Sequence, residues 1–176
     1  VEIIKKIVEG KSHDQILHIS AKHLDVVGTK RQNVLIAAQL LSNKTSKLIL
    51  KEFPEDVDAI ATANFCKISN DLFDVFNSGK TNPFCDSDEQ RKILEYGLKY
   101  FSELRKVTKN EKTKACPLPY QNGSTMSIMS LKDLFQVLNS KYNVSQLSTR
   151  NLNSDAIEST FSTLRDFGMD DCPSAL

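Results

Sequence analysis

Apolar residues recur at helical spacing through most of this sequence, in segments separated by glycine, proline or asparagine. The longest run begins after Pro54 and ends before Gly79, with an apolar side chain at nearly every third or fourth position. Its members are Val57, Ile60, Ala61, Phe65, Ile68, Leu72 and Phe76. Similar stripes lie in residues 2–9, 30–42, 87–104 and 130–142, and only residues 146–151 suggest extended chain. The sequence therefore predicts an all-α fold of helices joined by short loops.

Two stretches carry more specific expectations. The run from Lys30 to Ser42 contains so many apolar residues that it predicts a mostly buried helix. The stretch from Cys116 to Ser124, with two prolines and a Gln-Asn-Gly turn sequence, predicts extended chain and a turn. The next helix is expected to begin near Ser130.

The composition is that of an ordinary globular domain and identifies no class of partner by itself. The 176 residues are 40% hydrophobic and 26% charged, with a net charge of +1, so contacts to nucleic acid would need a local patch. The most basic stretch, Lys106 to Lys114, is explained by a solvated loop or by contacts to a nucleic-acid backbone. The four cysteines are widely spaced, which predicts free thiols and no zinc site. No segment resembles a membrane span, so no membrane partner is expected.

The segment 151–168 predicts a short amphipathic helix that begins at good N-cap residues and ends at a glycine. Its apolar face comprises Ile157, Thr160, Phe161, Leu164 and Phe167. At about 100° per residue, Asp155, Glu158 and Arg165 lie on the opposite face. On the residues alone, the two acids are explained by the positive end of the helix dipole.

The same segment resembles the part of P-element transposases, and of their THAP-domain relatives, that carries the last catalytic acid. The matching residues are Thr149, Asn153, Asp155, Glu158, Phe161, Arg165 and Gly168. Ser154 stands where the family usually has glutamine, and Cys172-Pro173 replaces a more frequent Asn-Pro. The resemblance implies that Glu158 is a catalytic Mg²⁺ ligand of an RNase H-like core. Because two-metal chemistry needs further carboxylates and the two upstream aspartates are missing, this chain is not expected to be active alone.

Two other motifs resemble the same family, in the same order. Residues 33–42 match a Lys-Val-x-x-Ala-Ala-Gln-x-x-Ser run with Asn33 in place of the lysine, and His23-Leu24 matches a pair that precedes it. Residues 72–78 match a Leu-Phe-Asp-x-x-Asn-Ser box, which on its residues alone is an exposed helix face. The resemblance implies an α-helical GTP-binding insertion domain over residues 1–145. Residues 146–176 would then be the return segment of an incomplete RNase H-like core.

The resemblance also implies which residues would recognise the guanine base. Asp155 would accept both N–H donors of the guanine edge, a pair that adenine does not present. Phe73 would pack on the purine. Asp74 and Asn77 would bind ring or sugar atoms, or order the pocket around them.

The sugar and phosphates would lie on the side of the Ala-Ala-Gln helix. Val34 and Ser42 would line that side of the site. Lys22 and Lys30 are equal candidates for the phosphate contact. The resemblance further implies that GTP is a structural cofactor whose hydrolysis is not required.

Three hypotheses about function remain open. The first is an insertion domain that binds guanine nucleotide and, within a full-length nuclear transposase, supports transposition of transposon-end DNA. The second is a domesticated or decayed interaction module without GTP binding or catalysis, which Asn33 and Ser154 favour. The third is an unrelated helical scaffold whose motif matches are accidental. A homo-oligomeric assembly is compatible with the first two.

Overall fold

The computed structural model describes residues 2–9, 19–25, 27–28, 33–104, 106–107, 113–114, 118–152, 158–160 and 162–163. Within these ranges the main helices are α1 (Glu2–Glu9), α2 (Val34–Leu40), α3 (Asn43–Glu52), α4 (Val57–Phe76), α5 (Asp88–Glu103) and α6 (Pro119–Tyr142). Short 3₁₀ turns occupy Ala21–His23 and Thr149–Leu152, and residues 158–160 and 162–163 are helical. Strands β1 (Lys106–Val107) and β2 (Thr113–Lys114) pair antiparallel, with Lys106 opposite Lys114. The prediction of an all-α fold is confirmed, and no described helix is both long enough and apolar enough to span a membrane.

Helix α4 is the centre of the fold because both hydrophobic cores are built on it. Its N-terminal half packs with α1 and α3, and the buried residues of that core are Ile3, Ile4, Ile7, Ile19, Ile49, Ala59, Ala63 and Cys66. Its C-terminal half packs with α5 and α6, around Ile68, Leu72, Val75, Phe84, Leu94, Phe101, Ile128, Leu131 and Phe135. A helix of 20 residues is about 30 Å long, so α4 can span two cores. The side chain of Asp56 starts it by accepting the backbone N–H groups of Asp58 and Ala59 at 2.9 and 3.0 Å.

The thiol of Cys66 belongs to the first of these cores. Burial raises its pKa to about 11, so it stays protonated at neutral pH. Cys85 is exposed, and both cysteines are free. Cys116 and Cys172 lie outside the described residues.

Helix α2 differs from the mostly buried helix that its apolar content predicts. It has only seven residues, none of them is buried, and Val34 and Leu35 are 72% and 63% exposed. The chain turns after Leu41 and starts a second helix, α3, at Asn43. The core position is occupied by α3, which contributes the fully buried Ile49. Helix α2 contributes no buried residue to this core, so one of its sides remains exposed.

Helix α6 begins earlier than the sequence predicts, so the expectation of extended chain and a turn was wrong for residues 119–124. Pro119 occupies the first position of the helix, where its fixed φ and missing N–H are compatible with helix geometry. The buried side chain of Gln121 donates from Nε2 to the backbone oxygens of Phe101 and Leu104 at 3.0 and 2.6 Å. These bonds tie the start of α6 to the end of α5.

After α6 the chain returns to the end of α4. Leu147 and Phe84 exchange backbone hydrogen bonds, with N···O distances of 2.8 Å from Phe84 N and 2.7 Å from Leu147 N. The extended piece predicted at 146–151 is limited to this bridge, and a 3₁₀ turn follows at Thr149–Leu152. The return path therefore starts beside the second core, to which Phe84 belongs.

Two glycines inside helices give opposite predictions for stability. A Cβ at Gly97 in α5 would lie 2.8 Å from Cδ1 of the buried Leu72, whereas a Cβ at Gly123 in α6 would have nothing within 4 Å. We expect Gly97→Ala to lower the free energy of unfolding by about 1 kcal/mol, because the strain of overpacking exceeds the gain in helix propensity. We expect Gly123→Ala to raise it by about 0.5–1 kcal/mol. Urea denaturation of the two variants measures both changes, and shifts of the same sign would contradict the close packing of α5 on α4.

Candidate functional site

A cavity of about 310 Å³ lies between α2 and the C-terminal half of α4. It is lined by Val34, Ala37, Ala38, Leu41, Ser69, Asn70, Phe73 and Asp74. Two motifs that are separate in the sequence therefore meet across one space: the Ala-Ala-Gln helix on one side and the Leu-Phe-Asp box on the other. The volume is at the lower end of the range of about 300–1,000 Å³ that is usual for small-molecule sites.

Phe73 is the largest exposed side chain of this cavity. Its neighbours Leu72 and Val75 face the core, whereas Phe73 points outward and is 56% exposed. The ring also borders a second groove, of about 480 Å³ between α4 and α6, which Tyr120 lines from the far side. An aromatic ring left this exposed offers a flat apolar surface on which a planar ligand can stack.

Asp74 is the carboxylate of the cavity, and Asn70 holds it in place. Asn70 Nδ2 donates to Asp74 Oδ2 at 2.8 Å, and Asn70 Oδ1 accepts the Asn43 backbone N–H at 3.3 Å. The Asn43 side chain also donates to Asp71 Oδ1 at 3.1 Å, and Asp71 accepts a hydrogen bond from Lys67. The side-chain amide of Asn70 thereby connects the turn between α2 and α3 to Asp74. This role of Asn70 is absent from the predictions made from the sequence, although its i, i+4 spacing from Asp74 is a signal for it.

Ser42 and Asn33 act as helix caps in this structure. The Ser42 hydroxyl accepts the Thr45 N–H at 3.2 Å and donates to the Gln39 backbone oxygen at 2.9 Å. Ser42 is not among the residues that line the cavity, although it precedes the Asn43 that bonds to Asn70. Asn33 Oδ1 accepts the Leu35 N–H at 3.0 Å, so the residue in place of the family's lysine satisfies the first turn of α2.

A hydrogen bond joins the upstream His-Leu pair to the Ala-Ala-Gln helix. His23 is buried, and its Nε2 lies 3.0 Å from Gln39 Oε1. The other ring nitrogen, Nδ1, lies 3.0 Å from the Ser20 backbone nitrogen and 3.2 Å from the Ser20 backbone oxygen, so the hydrogen bond that reaches α2 is the one between Nε2 and Gln39. This bond holds the turn that contains the exposed Lys22 beside α2. Lys30, the other candidate for a phosphate contact, lies outside the described residues.

Buried hydrogen bonds between Ser78 and Thr149 connect the Leu-Phe-Asp box to the C-terminal motif. Thr149 Oγ1 accepts the Ser78 N–H at 3.0 Å, lies 2.8 Å from Ser78 Oγ, and donates to the Val75 backbone oxygen at 2.6 Å. The Arg150 N–H and the Ser148 hydroxyl both donate to the Ser78 backbone oxygen, at 3.1 and 3.2 Å. Both Ser78 and Thr149 match the family motifs, yet neither was predicted to have a role of its own.

The remaining predicted site residues lie apart from the cavity or outside the described residues. Asn77 is exposed at the C-cap of α4, one turn beyond Phe73, and does not line the cavity. Glu158 is exposed in the helical residues 158–160. Asp155, predicted to recognise the base, lies outside the described residues.

The described residues do not assemble a metal site around Glu158. No group of three or more histidine, cysteine, aspartate or glutamate side chains within the described ranges is arranged to hold a metal ion. A catalytic pair of Mg²⁺ ions needs several bridging carboxylates, so Glu158 does not suffice as a donor set.

Comparisons with known proteins agree with the motifs. A family model described as the TNP-like, GTP-binding insertion domain matches residues 1–91. The Transposable element P transposase of Drosophila melanogaster is 30% identical over 161 residues, which cover 87% of this chain and 21% of that protein. A chain of the solved Drosophila P element transposase strand transfer complex is similar with a TM-score of 0.79 and 28% identity, covering 93% of this chain and 39% of that one. The present chain thus spans about a fifth of the curated relative's length.

Proposed function

Since the chain belongs to the family of TNP-like, GTP-binding insertion domains, we propose that it binds a guanine nucleotide in the cavity between α2 and α4. The observation that carries the proposal is the convergence of two motifs on this cavity. Val34 comes from the first motif, and Phe73 and Asp74 come from the second. Neither motif forms the cavity without the other.

The walls of the cavity suit the parts of a nucleoside. The exposed ring of Phe73 provides a stacking surface for the purine, and the apolar side of α2 at Val34 covers the opposite side. Asp74, held by Asn70, provides an acceptor for ring or sugar donors. Asn77, one turn further along α4, extends this polar edge. The cavity volume fits a base and part of its sugar, so the phosphates would extend out of it toward solvent, where Lys22 and Lys30 are equal candidates for the phosphate contact.

We assign guanine specificity to Asp155. A carboxylate can accept the N1–H and the N2 amino donors of guanine together, and adenine has no matching pair. The junction of Ser78 and Thr149 supports this assignment, because it attaches the chain six residues before Asp155 to the helix that carries Phe73 and Asp74.

The proposed role of the nucleotide is structural. GTP would join α2, α4 and the C-terminal segment as a cofactor, without hydrolysis. In this proposal residues 1–145 form the insertion domain, and residues 146–176 return to an RNase H-like core in which Glu158 binds Mg²⁺. The complete protein would act on transposon-end DNA in the nucleus and could assemble as a homo-oligomer.

Calorimetric titration of the chain with GTP and with ATP tests this function. We expect saturable binding of GTP at least about tenfold tighter than ATP, a difference of about 1.4 kcal/mol. Asp155→Ala should abolish the discrimination, and Asp74→Ala should weaken binding of both nucleotides. Asp133→Ala, which removes an exposed carboxylate from α6, is the matched control and should change nothing.

A folded chain that binds neither nucleotide would contradict the proposal. That result would favour the second candidate, a domesticated or decayed interaction module. One observation supports this candidate: Asn33, in place of the family's lysine, is used to cap α2 and provides no positive charge.

A further inference from the structure

We propose that Thr149 is the positioning residue of the C-terminal segment: its hydroxyl fixes the start of that segment against the end of α4 and thereby aligns it with the α2–α4 cavity. The consequence for nucleotide binding rests on the proposed function. The alignment itself is a property of the chain that can be measured without any nucleotide.

The Thr149 hydroxyl acts as the C-terminal cap of α4. The last four carbonyl groups of a helix have no partner within it, and Val75 is the last residue but one of α4. Thr149 Oγ1 donates to the Val75 oxygen at 2.6 Å and accepts the N–H of Ser78, the second residue after the helix end. A residue distant in the sequence thus satisfies both the carbonyl and the amide at which α4 stops.

The contacts around Thr149 restrain the chain on both sides of this position. Before it, Leu147 is paired with Phe84 through two backbone hydrogen bonds. After it, the Arg150 N–H donates to the Ser78 oxygen at 3.1 Å. Thr149 is 2% exposed and Ser78 is 4% exposed, so water does not replace these bonds. Residues 147–150 are therefore fixed against the end of α4, with Thr149 at their centre.

The position of the junction connects it to the cavity. Val75, whose carbonyl Thr149 caps, directly follows Asp74, a wall residue of the cavity. Asp155 is six residues beyond Thr149, and a chain of six residues reaches at most about 20 Å. Fixing Thr149 on α4 thus sets an upper limit on the distance between Asp155 and Thr149, and the proposal is that loss of the hydroxyl relaxes this restraint.

Thr149→Val and Thr149→Ser separate the hydroxyl from the shape of the side chain. Valine keeps the shape but leaves the Val75 carbonyl and the Ser78 N–H without their partner, whereas serine keeps the hydroxyl and loses a methyl group. Thr125→Val is the matched control, because the Thr125 hydroxyl donates only to backbone oxygens within its own helix α6. A general effect of threonine replacement would appear in this control.

Spin labels test the alignment without nucleotide. Labels at Ala61→Cys on α4 and at Ser159→Cys, both exposed positions, report the distance between α4 and the C-terminal segment. Cys85, Cys116 and Cys172 are replaced by serine, and Cys66 remains because its buried thiol has a pKa of about 11. We expect a narrow distance distribution for the parent chain, Thr149→Ser and Thr125→Val, and a broad one for Thr149→Val. A narrow distribution in a folded Thr149→Val variant, or a broad one in the parent chain, would overturn the proposal.

Titration with GTP and ATP supplies the functional readout. We expect Thr149→Val to reduce the ratio of GTP affinity to ATP affinity at least about tenfold. We expect Thr149→Ser to keep the ratio of the parent chain. If the parent chain binds no GTP, the proposed function fails while the label distances still decide the alignment. If Thr149→Val does not fold, Thr149→Ala, which also removes the hydroxyl but places no additional methyl group beside the Val75 carbonyl, takes its place in both measurements with the same expected broadening and loss.

Discussion

Replacing Phe84 by alanine is expected to lower the free energy of unfolding by about 3–5 kcal/mol. Phe84 is fully buried, and its ring packs edge-on against Phe135 with the centroids 5.1 Å apart. Its backbone also holds the return path through the bridge to Leu147. Truncation therefore leaves a large cavity in the core between α4, α5 and α6. It also weakens the packing beside the two backbone hydrogen bonds that attach Leu147 to Phe84. Urea denaturation followed by circular dichroism measures the loss.

Phe73→Ala is the matched control for Phe84→Ala. The same atoms are removed, but Phe73 is 56% exposed, so we expect a change below about 1 kcal/mol. Equal losses from the two variants would contradict the assignment of Phe84 to the core and of Phe73 to the surface.

Local patterns in the sequence were sufficient to predict the central helices. Helix α4 follows from its apolar spacing, and α5 follows from the apolar stripe in residues 87–104, at the start of which the Ser87 side chain accepts the Gln90 N–H at 3.3 Å. Both signals lie within a few residues of the feature that they determine. No distant part of the chain is needed to interpret them.

The expectations that failed depend on distant contacts. The apolar residues of α2 predict burial, but a helix is buried only if another element covers it, and α3 with Ile49 takes the core position. The helical start of α6 depends on Gln121, whose partners are Phe101 and Leu104 at the end of α5. Spacing within one segment contains no information about such partners.

The candidate site shows the same division between local and distant information. Resemblance identified Val34, Phe73 and Asp74, which the fold brings to one cavity, but it did not reveal how the motifs are joined. The joining residues are paired across the chain: His23 with Gln39, and Ser78 with Thr149. All four occur in the matched motifs. We infer that the motifs combine residues that line the cavity with residues that hold the segments together.

Phe73→Ala is expected to weaken GTP binding by about ten- to a hundredfold while leaving the fold intact. Stacking of a base on an aromatic side chain is worth about 1–3 kcal/mol by alanine substitution, and every 1.4 kcal/mol corresponds to a factor of ten. The ring borders the cavity and is not needed for the core, so binding and stability should separate at this residue. Calorimetric titration of the variant with GTP measures the affinity.

Tyr96→Ala and Phe73→Leu make this prediction specific. Tyr96 is 51% exposed on α5 and lines a different cavity, so its removal controls for the loss of any surface aromatic and should leave GTP binding unchanged. Leucine at position 73 keeps apolar contact without a flat ring, so an intermediate affinity would identify stacking as the missing contribution. Parent-like affinity in Phe73→Ala would place the base elsewhere, because none of the other residues that line the cavity has an aromatic ring on which a purine can stack.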